Sequence, residues 1–402
     1  MKRSVNIIGS GPAAMMLACQ LDEKKFDVSI YEKNNAPGRK FLVAGDGGFN
    51  LTHSEDAEQF LQRYSPADFL KNAFTSFNNN DLREWLKKIG IETYIGSSKR
   101  VFPVKGIKPI DVLNAVLSEI KRKNVSLKTN AEWQGWSGQE LKINENGTTR
   151  NLKSDTTIFA LGGSSWKVTG SDGSWTNYFS QKEIRIIPFH ASNCAYEIKW
   201  KSDFLSLTKG TSLKNISLRC AENEKAGELV ITAFGLEGGA IYALSPQIRE
   251  QLSKNETAEI FIDMKPSLSA GQIREKFSSR GNRSIKKLLI DKLSFDDPKI
   301  ELLKTMLSKE EFTDAGKLIE KIKALPLVIT AAAPIDEAIS TVGGISLDEV
   351  DENFQLIKLP GHYCIGEMLD WDAPTGGYLL QACFSMGHYL AQHLNSQYYF
   401  FD

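Results

Sequence analysis

The chain has 402 residues, 41% hydrophobic and 24% charged, which is the balance of a soluble globular protein of two or three domains. Its 49 Lys and Arg match its 49 Asp and Glu, so the overall charge argues against nucleic acid or an acidic membrane surface as a partner. Five cysteines with no C-x-x-C pair exclude a disulfide framework and a zinc ribbon, and point to reduced thiols in the cytoplasm.

Met1-Lys2-Arg3 begins like a secretory signal, but the apolar run behind it breaks at Gly9, too early for one. That run, Val5-Asn6-Ile7-Ile8, predicts a buried parallel strand. Gly9-Ser10-Gly11-Pro12-Ala13-Ala14 follows in the pattern G-x-G-x-x-G/A, and Met15 to Leu21 continues as an apolar helix. A second strand, Val28 to Tyr31, ends on Glu32. Each position has a physical reason. Gly9 permits the tight turn, Gly11 lets backbone approach a pyrophosphate, and Ala14 lets helix and strand pack closely. The helix start offers unpaired N–H groups and a positive dipole end to the phosphates. Glu32 is placed to accept the hydroxyls of an adenosine ribose. Strand, turn, helix, second strand and terminal acid agree in order and spacing, which predicts a dinucleotide site.

Next comes a glycine-rich loop, Pro37-Gly38-Arg39-Lys40 through His53, suited to anion contact through backbone N–H groups and two cations. Residues 54 to 125 read as largely helical, with Ser54 and Ser65-Pro66 as expected N-caps and Arg100-Val101-Phe102-Pro103 as an extended piece facing a site. Ala131 to Lys153 alternates with period two around Asn146-Gly147, a hairpin signal. A further buried strand, Thr156 to Ala160, breaks into Leu161-Gly162-Gly163. This again puts backbone at the carboxyl edge of a sheet, where ligands bind in α/β folds.

At Pro188 the pattern shifts. Several strand-like pieces run to Pro266, and a lysine-rich helical stretch from Ser267 to Leu325 includes a capping box at Ser308 to Glu311. Phe234-Gly235-Leu236-Glu237-Gly238-Gly239 lacks the order of a second nucleotide motif, so packing or substrate contact is its expected role. The longest apolar stretch, Ala324 to Ala333, contains Pro326 and is too short to span a bilayer, so no membrane partner is expected. Strand-like text resumes with Gly361 to Gly366-Glu367. Thr375-Gly376-Gly377-Tyr378 then opens a final helix to about Leu394. The five histidines form no metal-like pair, and no metal is expected. His190, His362 and Tyr378 are the candidates for proton transfer, against a default role in packing.

Taken together, these stretches resemble the HI0933-like, BaiN-like and aminoacetone-oxidase-like flavoproteins of the two-dinucleotide-binding-domains superfamily. The resemblance covers nearly the whole chain. It rests on the first glycine motif, Glu32, Gly38-Arg39-Lys40, Arg100 to Pro103, Ala160 to Gly163, Gly170-Ser171-Asp172-Gly173, Gly227 to Leu236, and Gly361 to Gly387. It implies an α/β protein: a discontinuous Rossmann-like FAD-binding domain (1–189 and 335–402) interrupted by a β-rich domain (190–266) and a helical subdomain (267–334). By carry-over, Glu32 holds the adenosine ribose and Gly366-Glu367 the ribityl–pyrophosphate end, with Gly377 and Tyr378 near the isoalloxazine. Lys33 and the Ala160-Leu161-Gly162 turn join the expected contacts of non-covalent FAD. The chain departs from its relatives at Ala44 to Asn50, where Gly48 and Phe49 replace an Arg-Cys pair.

The implied activity is an FAD-dependent oxidoreductase acting on a small organic molecule, with NAD(P)H or oxygen as electron partner. The alternatives are an amine-type oxidase without nicotinamide, and a non-enzymatic flavin-binding or RNA-associated protein using Arg283, Lys286 and Lys287.

Overall fold

The computed structural model describes residues 1–43, 48–278 and 283–397. The chain forms two compact units, 1–190 with 339–402, and 191–338.

The first unit is built on a five-stranded parallel sheet. Its strands are β1 (Arg3–Ile8), β2 (Phe26–Tyr31), β3 (Ser126–Lys128), β4 (Thr156–Phe159) and β5 (His362–Cys364), in the order β5-β4-β1-β2-β3. Val5 stands opposite Val28 and Thr156, and Phe159 opposite Cys364. Val5, Ile7 and Ile8 are all buried because both faces of the sheet are covered, as parallel sheets require. Three helices pack together in this unit, α1 (Pro12–Gln20), α2 (Pro109–Arg122) and α3 (Tyr378–Gln397), while Trp133 and Trp136 of a three-stranded meander over 131–152 pack against Phe159 of β4. In α2, Val112, Leu113, Val116 and Ile120 are buried along one stripe, the 3.6-residue period seen in the sequence. The chain leaves β1 for β2 on one side and later returns to β4 on the other. That reversal is the topological switch point where α/β sheets bind ligands.

α3 packs across α1 at Gly387. A Cβ there would stand 2.4 Å from the Ala13 carbonyl oxygen and 2.9 Å from the Leu17 nitrogen, so only glycine permits this approach. The predicted hairpin at Asn146-Gly147 is present, with both residues at positive φ (51° and 85°), the geometry of a type I′ turn. Two caps differ from expectation. Asp56, not Ser54, accepts the Gln59 N–H (3.0 Å), because the helix starts two residues later. Ser65 starts no helix: its backbone is taken by a paired bridge to Asp372 (2.9 and 2.8 Å).

The second unit is a seven-stranded antiparallel sheet, in the order 325–329, 258–263, 212–220, 223–231, 235–237, 196–197, 331–332. Asn223–Ile231 lies inside this sheet and takes no part in the parallel one. The helices between 270 and 323 pack on the same sheet, and Leu218, Ile260, Leu288, Leu303 and Ile319 belong to one core. The β-rich and helical parts therefore form one body, bounded at 190/191 and 338/339 instead of being divided at 266. The capping box at Ser308 is present, with Glu311 accepting from the Ser308 N–H (2.9 Å). No helix among the described residues is long and apolar enough to cross a membrane.

Gly387→Ala should lower the thermal midpoint of the full chain, although alanine favours a helix over glycine by about 1 kcal/mol. Overpacking against fixed backbone is worth roughly 1–3 kcal/mol in the opposite direction. A midpoint that rises in calorimetry would show that α1 and α3 do not approach this closely.

Candidate functional site

At the carboxyl ends of β1 and β4 the sheet opens into a cleft lined by Gly9, Gly11, Glu32, Lys40, Gly162 and Glu367. Gly9 turns the chain there at φ +99°. A Cβ on it would stand 2.4 Å from the Ala160 carbonyl oxygen. Gly11 caps α1 in extended conformation, and nothing lies within 4 Å of where its Cβ would be. Pro12 occupies the first helical position, where its missing N–H is no loss. The next N–H groups of the first turn have no partner within the helix, which makes this end an anion site. Ala13 lines the cleft, whereas Ala14 is fully buried behind it and serves packing.

Glu32 follows β2 and is only 8% exposed. Its carboxylate accepts from Ser10 Oγ (2.5 Å), Asn34 N (2.8 Å) and Asn34 Nδ2 (2.7 Å). Three of roughly four acceptor positions are thus used, and the group is held in orientation with capacity left for a hydroxyl. Lys33 reaches across the cleft mouth to Asp172 Oδ2 (2.8 Å). Gly38 stands at φ +67° and directs the chain into the short helix Arg39–Val43. Arg39 donates to Asn34 Oδ1 (3.2 Å).

The far parts of the unit meet at Lys40. Its ammonium donates to Glu367 Oε2 (2.8 Å) and to Ser165 Oγ (2.8 Å), while Glu367 Oε1 accepts from the Thr341 N–H (3.1 Å). Four segments from 40 to 367 are joined in one network beside Gly366 and the Ala160-Leu161-Gly162 turn. Cys383 also lines the cleft. Burial, and then the Glu367 charge, pushes its thiol up to about 12, so it stays protonated.

Other candidates are not brought to this cleft. Gly377, at φ +99°, presses on the backbone of Thr52, where a Cβ would stand 2.5 Å from its Cα. The Tyr378 hydroxyl donates to Glu55 Oε1 (2.6 Å), and its ring stacks on His53 (5.2 Å). Burial, reinforced by Glu55, holds that hydroxyl above its ordinary range, so it keeps its proton. His362 is the first residue of β5, away from the carboxyl edge. It stacks on Phe159 (6.1 Å), and burial lowers its pKa. His190 is an exposed strand residue outside the cleft lining. Ala44 to Gly47 lie outside the described residues. Gly48 and Phe49 are described, and Phe49 packs edge-on against Phe41 (5.0 Å). Sequence reading overlooked Asn34 and Ser165. Asn34 follows the ribose acid by two positions, a signal that was available, whereas nothing local marks Ser165.

The cleft has an open patch over Gly11, a helix N-terminus, an oriented acid at the end of the strand adjacent to the first glycine, and a second glycine turn at Gly162. These features fit an extended dinucleotide. Residues 3–393 match the family described as HI0933-like protein Rossmann domain. The chain belongs to the HI0933-like family. It is an FAD-dependent oxidoreductase with a Rossmann-type FAD-binding fold carrying additional β-rich and helical parts. This HI0933-like protein is similar to a 3-dehydro-bile acid delta(4,6)-reductase of Clostridium scindens, at 24% identity over 96% of this chain and 97% of that one. It is similar to ribosomal RNA dihydrouridine synthases of Haemophilus influenzae (23% identity, 97% and 98% covered) and Escherichia coli (24%, 96% and 97%). Among solved structures, 3-ketosteroid delta1-dehydrogenase of Sterolibacterium denitrificans superposes with a TM-score of 0.49 at 12% identity, covering 98% of this chain and all of that one.

Two outcomes are expected. Glu32→Ala should weaken FAD binding about tenfold or more, since charge-assisted hydrogen bonds are worth roughly 1.5–3 kcal/mol, and equilibrium flavin fluorescence measures it. The second concerns Glu55. Burial raises its carboxyl, but the paired bonds from Arg63 (3.0 and 2.9 Å) and the bond from Tyr378 outweigh burial and hold it below the ordinary value. A carboxyl lowered in the fold adds stability above its unfolded value and loses it as pH falls through the folded one. The gap in thermal midpoint between wild type and Glu55→Gln should therefore be widest near neutrality and close on acidification. A gap independent of pH contradicts this assignment.

Proposed function

We propose that this HI0933-like protein reduces a carbon–carbon double bond conjugated with a carbonyl group in a ring, using NAD(P)H as electron donor. One observation carries the reading. Full-length relatives bear names for two different substrates, a 3-dehydro-bile acid and a uridine of ribosomal RNA, and both names denote the addition of hydrogen across such a bond. Bound FAD supplies the hydride chemistry for a reaction of this class.

The chain's own residues bind and orient. The first turn of α1 and the open face of Gly11 take the pyrophosphate, Glu32 the ribose hydroxyls, and the Lys40–Glu367 pair fixes the Gly366 turn that lies against Ala13. A small cyclic enone is the expected substrate class, in a cytoplasmic protein. RNA is the second reading, favoured by the dihydrouridine synthase relatives. The basic candidates Lys286 and Arg283 already have partners, Lys286 pairing with Asp297 at 3.2 Å.

The test is anaerobic mixing of the FAD-loaded protein with NADPH or NADH, followed by a 3-oxo-4-ene steroid, a ribosomal RNA fragment, or air. The expected outcome is loss of the visible flavin absorbance with a nicotinamide and its rapid return with the steroid. Return with RNA alone establishes the second reading. Bleaching by an amine without nicotinamide, or return with air alone, refutes both in favour of an oxidase.

A further inference from the structure

The strand Arg100–Pro103 lies in the middle of a small antiparallel sheet, between Thr52–His53 and Thr93–Ile95. Its side chains alternate. Val101 and Pro103 are buried, so Arg100 and Phe102 share the opposite, half-buried face. Tyr94 stands across from Phe102, and the two rings stack at 5.7 Å and 29°, with Tyr94 49% exposed. Glycines border this face closely. A Cβ on Gly96 would stand 2.9 Å from the Phe102 ring, one on Gly48 3.5 Å from it, and one on Gly376 3.5 Å from Arg100 Nε. The arginine is set apart by its missing partner. The guanidiniums of Arg39, Arg63, Arg83, Arg122, Arg150 and Arg185 in the same unit each donate to a protein oxygen. That of Arg100 donates to none among the described residues. Its surroundings offer it no free anion. His53, directly opposite, is held neutral by burial and by the Arg63 and Arg100 charges against the pull of Glu55, and Glu55 itself is taken by Arg63 and Tyr378.

We propose that this face binds the substrate, with the ring of a cyclic enone on the Tyr94–Phe102 pair and its carbonyl oxygen at the Arg100 guanidinium. An arginine presents five N–H donors and no acceptor, so a carbonyl or anionic oxygen completes it. The aromatic pair beside it takes the planar conjugated part of such a ring, which buries apolar surface there. Positions 100 and 102 are about 7 Å apart along a strand, close to the distance from a ring centre through its carbonyl oxygen to a bonded guanidinium. The arginine also suits the reaction. Hydride, drawn from NAD(P)H, adds to the carbon β to the carbonyl, and the π electrons shift so that the carbonyl oxygen carries the charge. The resulting enolate takes a proton from water at the α carbon. A fixed guanidinium stabilises that oxygen most when it carries the charge. The proposal rests on the enone reading for the identity of the substrate, whereas the pairing of a ring with an oxygen anion rests on this face alone.

The experiment uses the full-length, oxidised, FAD-loaded protein without nicotinamide. It is titrated in mildly alkaline buffer with 4-nitrophenolate, a planar ring bearing an oxygen anion, and with nitrobenzene, the same ring without it. Changes in the phenolate and flavin absorbance report binding. Arg100→Gln should weaken phenolate binding by roughly ten- to a hundredfold, the worth of a charge-assisted hydrogen bond, and leave nitrobenzene binding at its wild-type value. Arg100→Lys should recover part of the loss, because it keeps the charge and loses the planar fork. Tyr94→Ala removes an exposed ring, so it leaves the fold intact, and should weaken both probes roughly two- to tenfold. Phenolate that does not saturate the wild type, or whose affinity survives Arg100→Gln, overturns the proposal. So does an equal loss of both probes in Arg100→Gln, the mark of a structural role, and so does a loss confined to flavin bleaching by NADPH. The two readings fail separately. A 3-oxo-4-ene steroid that reoxidises the reduced flavin of Arg100→Gln with wild-type KM and kcat removes the substrate from this face and leaves the reductase reading standing. Arg100-dependent phenolate binding in a protein whose reduced flavin no such steroid reoxidises keeps the face and ends the reductase reading.

Discussion

The first unit depends on one close approach, that of the Gly9 backbone to the Ala160 carbonyl at the ends of β1 and β4. Any side chain at residue 9 would stand 2.4 Å from that oxygen. With glycine there, the two strands end side by side, and the chain leaves them in opposite directions to make the switch point. Everything in the cleft follows from that edge. α1 starts over it, Glu32 closes one flank from β2, and the Gly162 turn closes the other. The β5 strand joins at β4, which brings residues 362–367 to the same edge from a chain segment beyond the second unit.

Much of this was legible locally. The glycine motif, the acid at the end of β2, the Asn146-Gly147 turn and the Ser308 capping box each state their geometry within a few residues. The structure agrees because tertiary packing has no competing demand at those places. Other features have no local text. Lys40 finds Glu367 across 327 positions, and Lys33 finds Asp172 across 139. Neither lysine differs by spacing from its solvated neighbours. Gly377 and Tyr378 show the opposite failure. The helix start they announce is real, yet where it faces is decided by contacts with Thr52 and Glu55 that the helix signal does not encode.

Those contacts give α3 its own role. Tyr64 donates to the Tyr378 carbonyl (3.0 Å), Thr52 to Gln381 (2.8 Å), and both Gln381 and Ser385 to the Phe77 carbonyl (3.0 and 2.7 Å). The first two turns of α3 are thereby fixed to the segment 52–77, while Gly387 fixes its middle to α1. The long last helix connects the small sheet around His53 and Arg100 to the helix whose terminus faces the cleft. The Glu55–Arg63–Tyr378 cluster, with its glutamate and tyrosine buried and its arginine exposed, ties the start of α3 to the same segment. Its tyrosine keeps its proton through burial and the Glu55 charge, and its glutamate stays ionised because Arg63 and Tyr378 both donate to it.

The cleft follows a different rule. Its charged groups are already paired within the protein: Glu32 with Ser10 and Asn34, Lys40 with Glu367 and Ser165, Lys33 with Asp172. Charges tied down in this way keep their orientation before a ligand arrives, so binding does not have to order long side chains. Binding energy must then come from groups that the protein leaves incomplete. Along this cleft those are the first-turn N–H groups of α1 and the bare face of Gly11. The α1 end of the cleft thus stays open to a ligand's phosphates, while Glu32 on the neighbouring strand is held in orientation with capacity left for a hydroxyl.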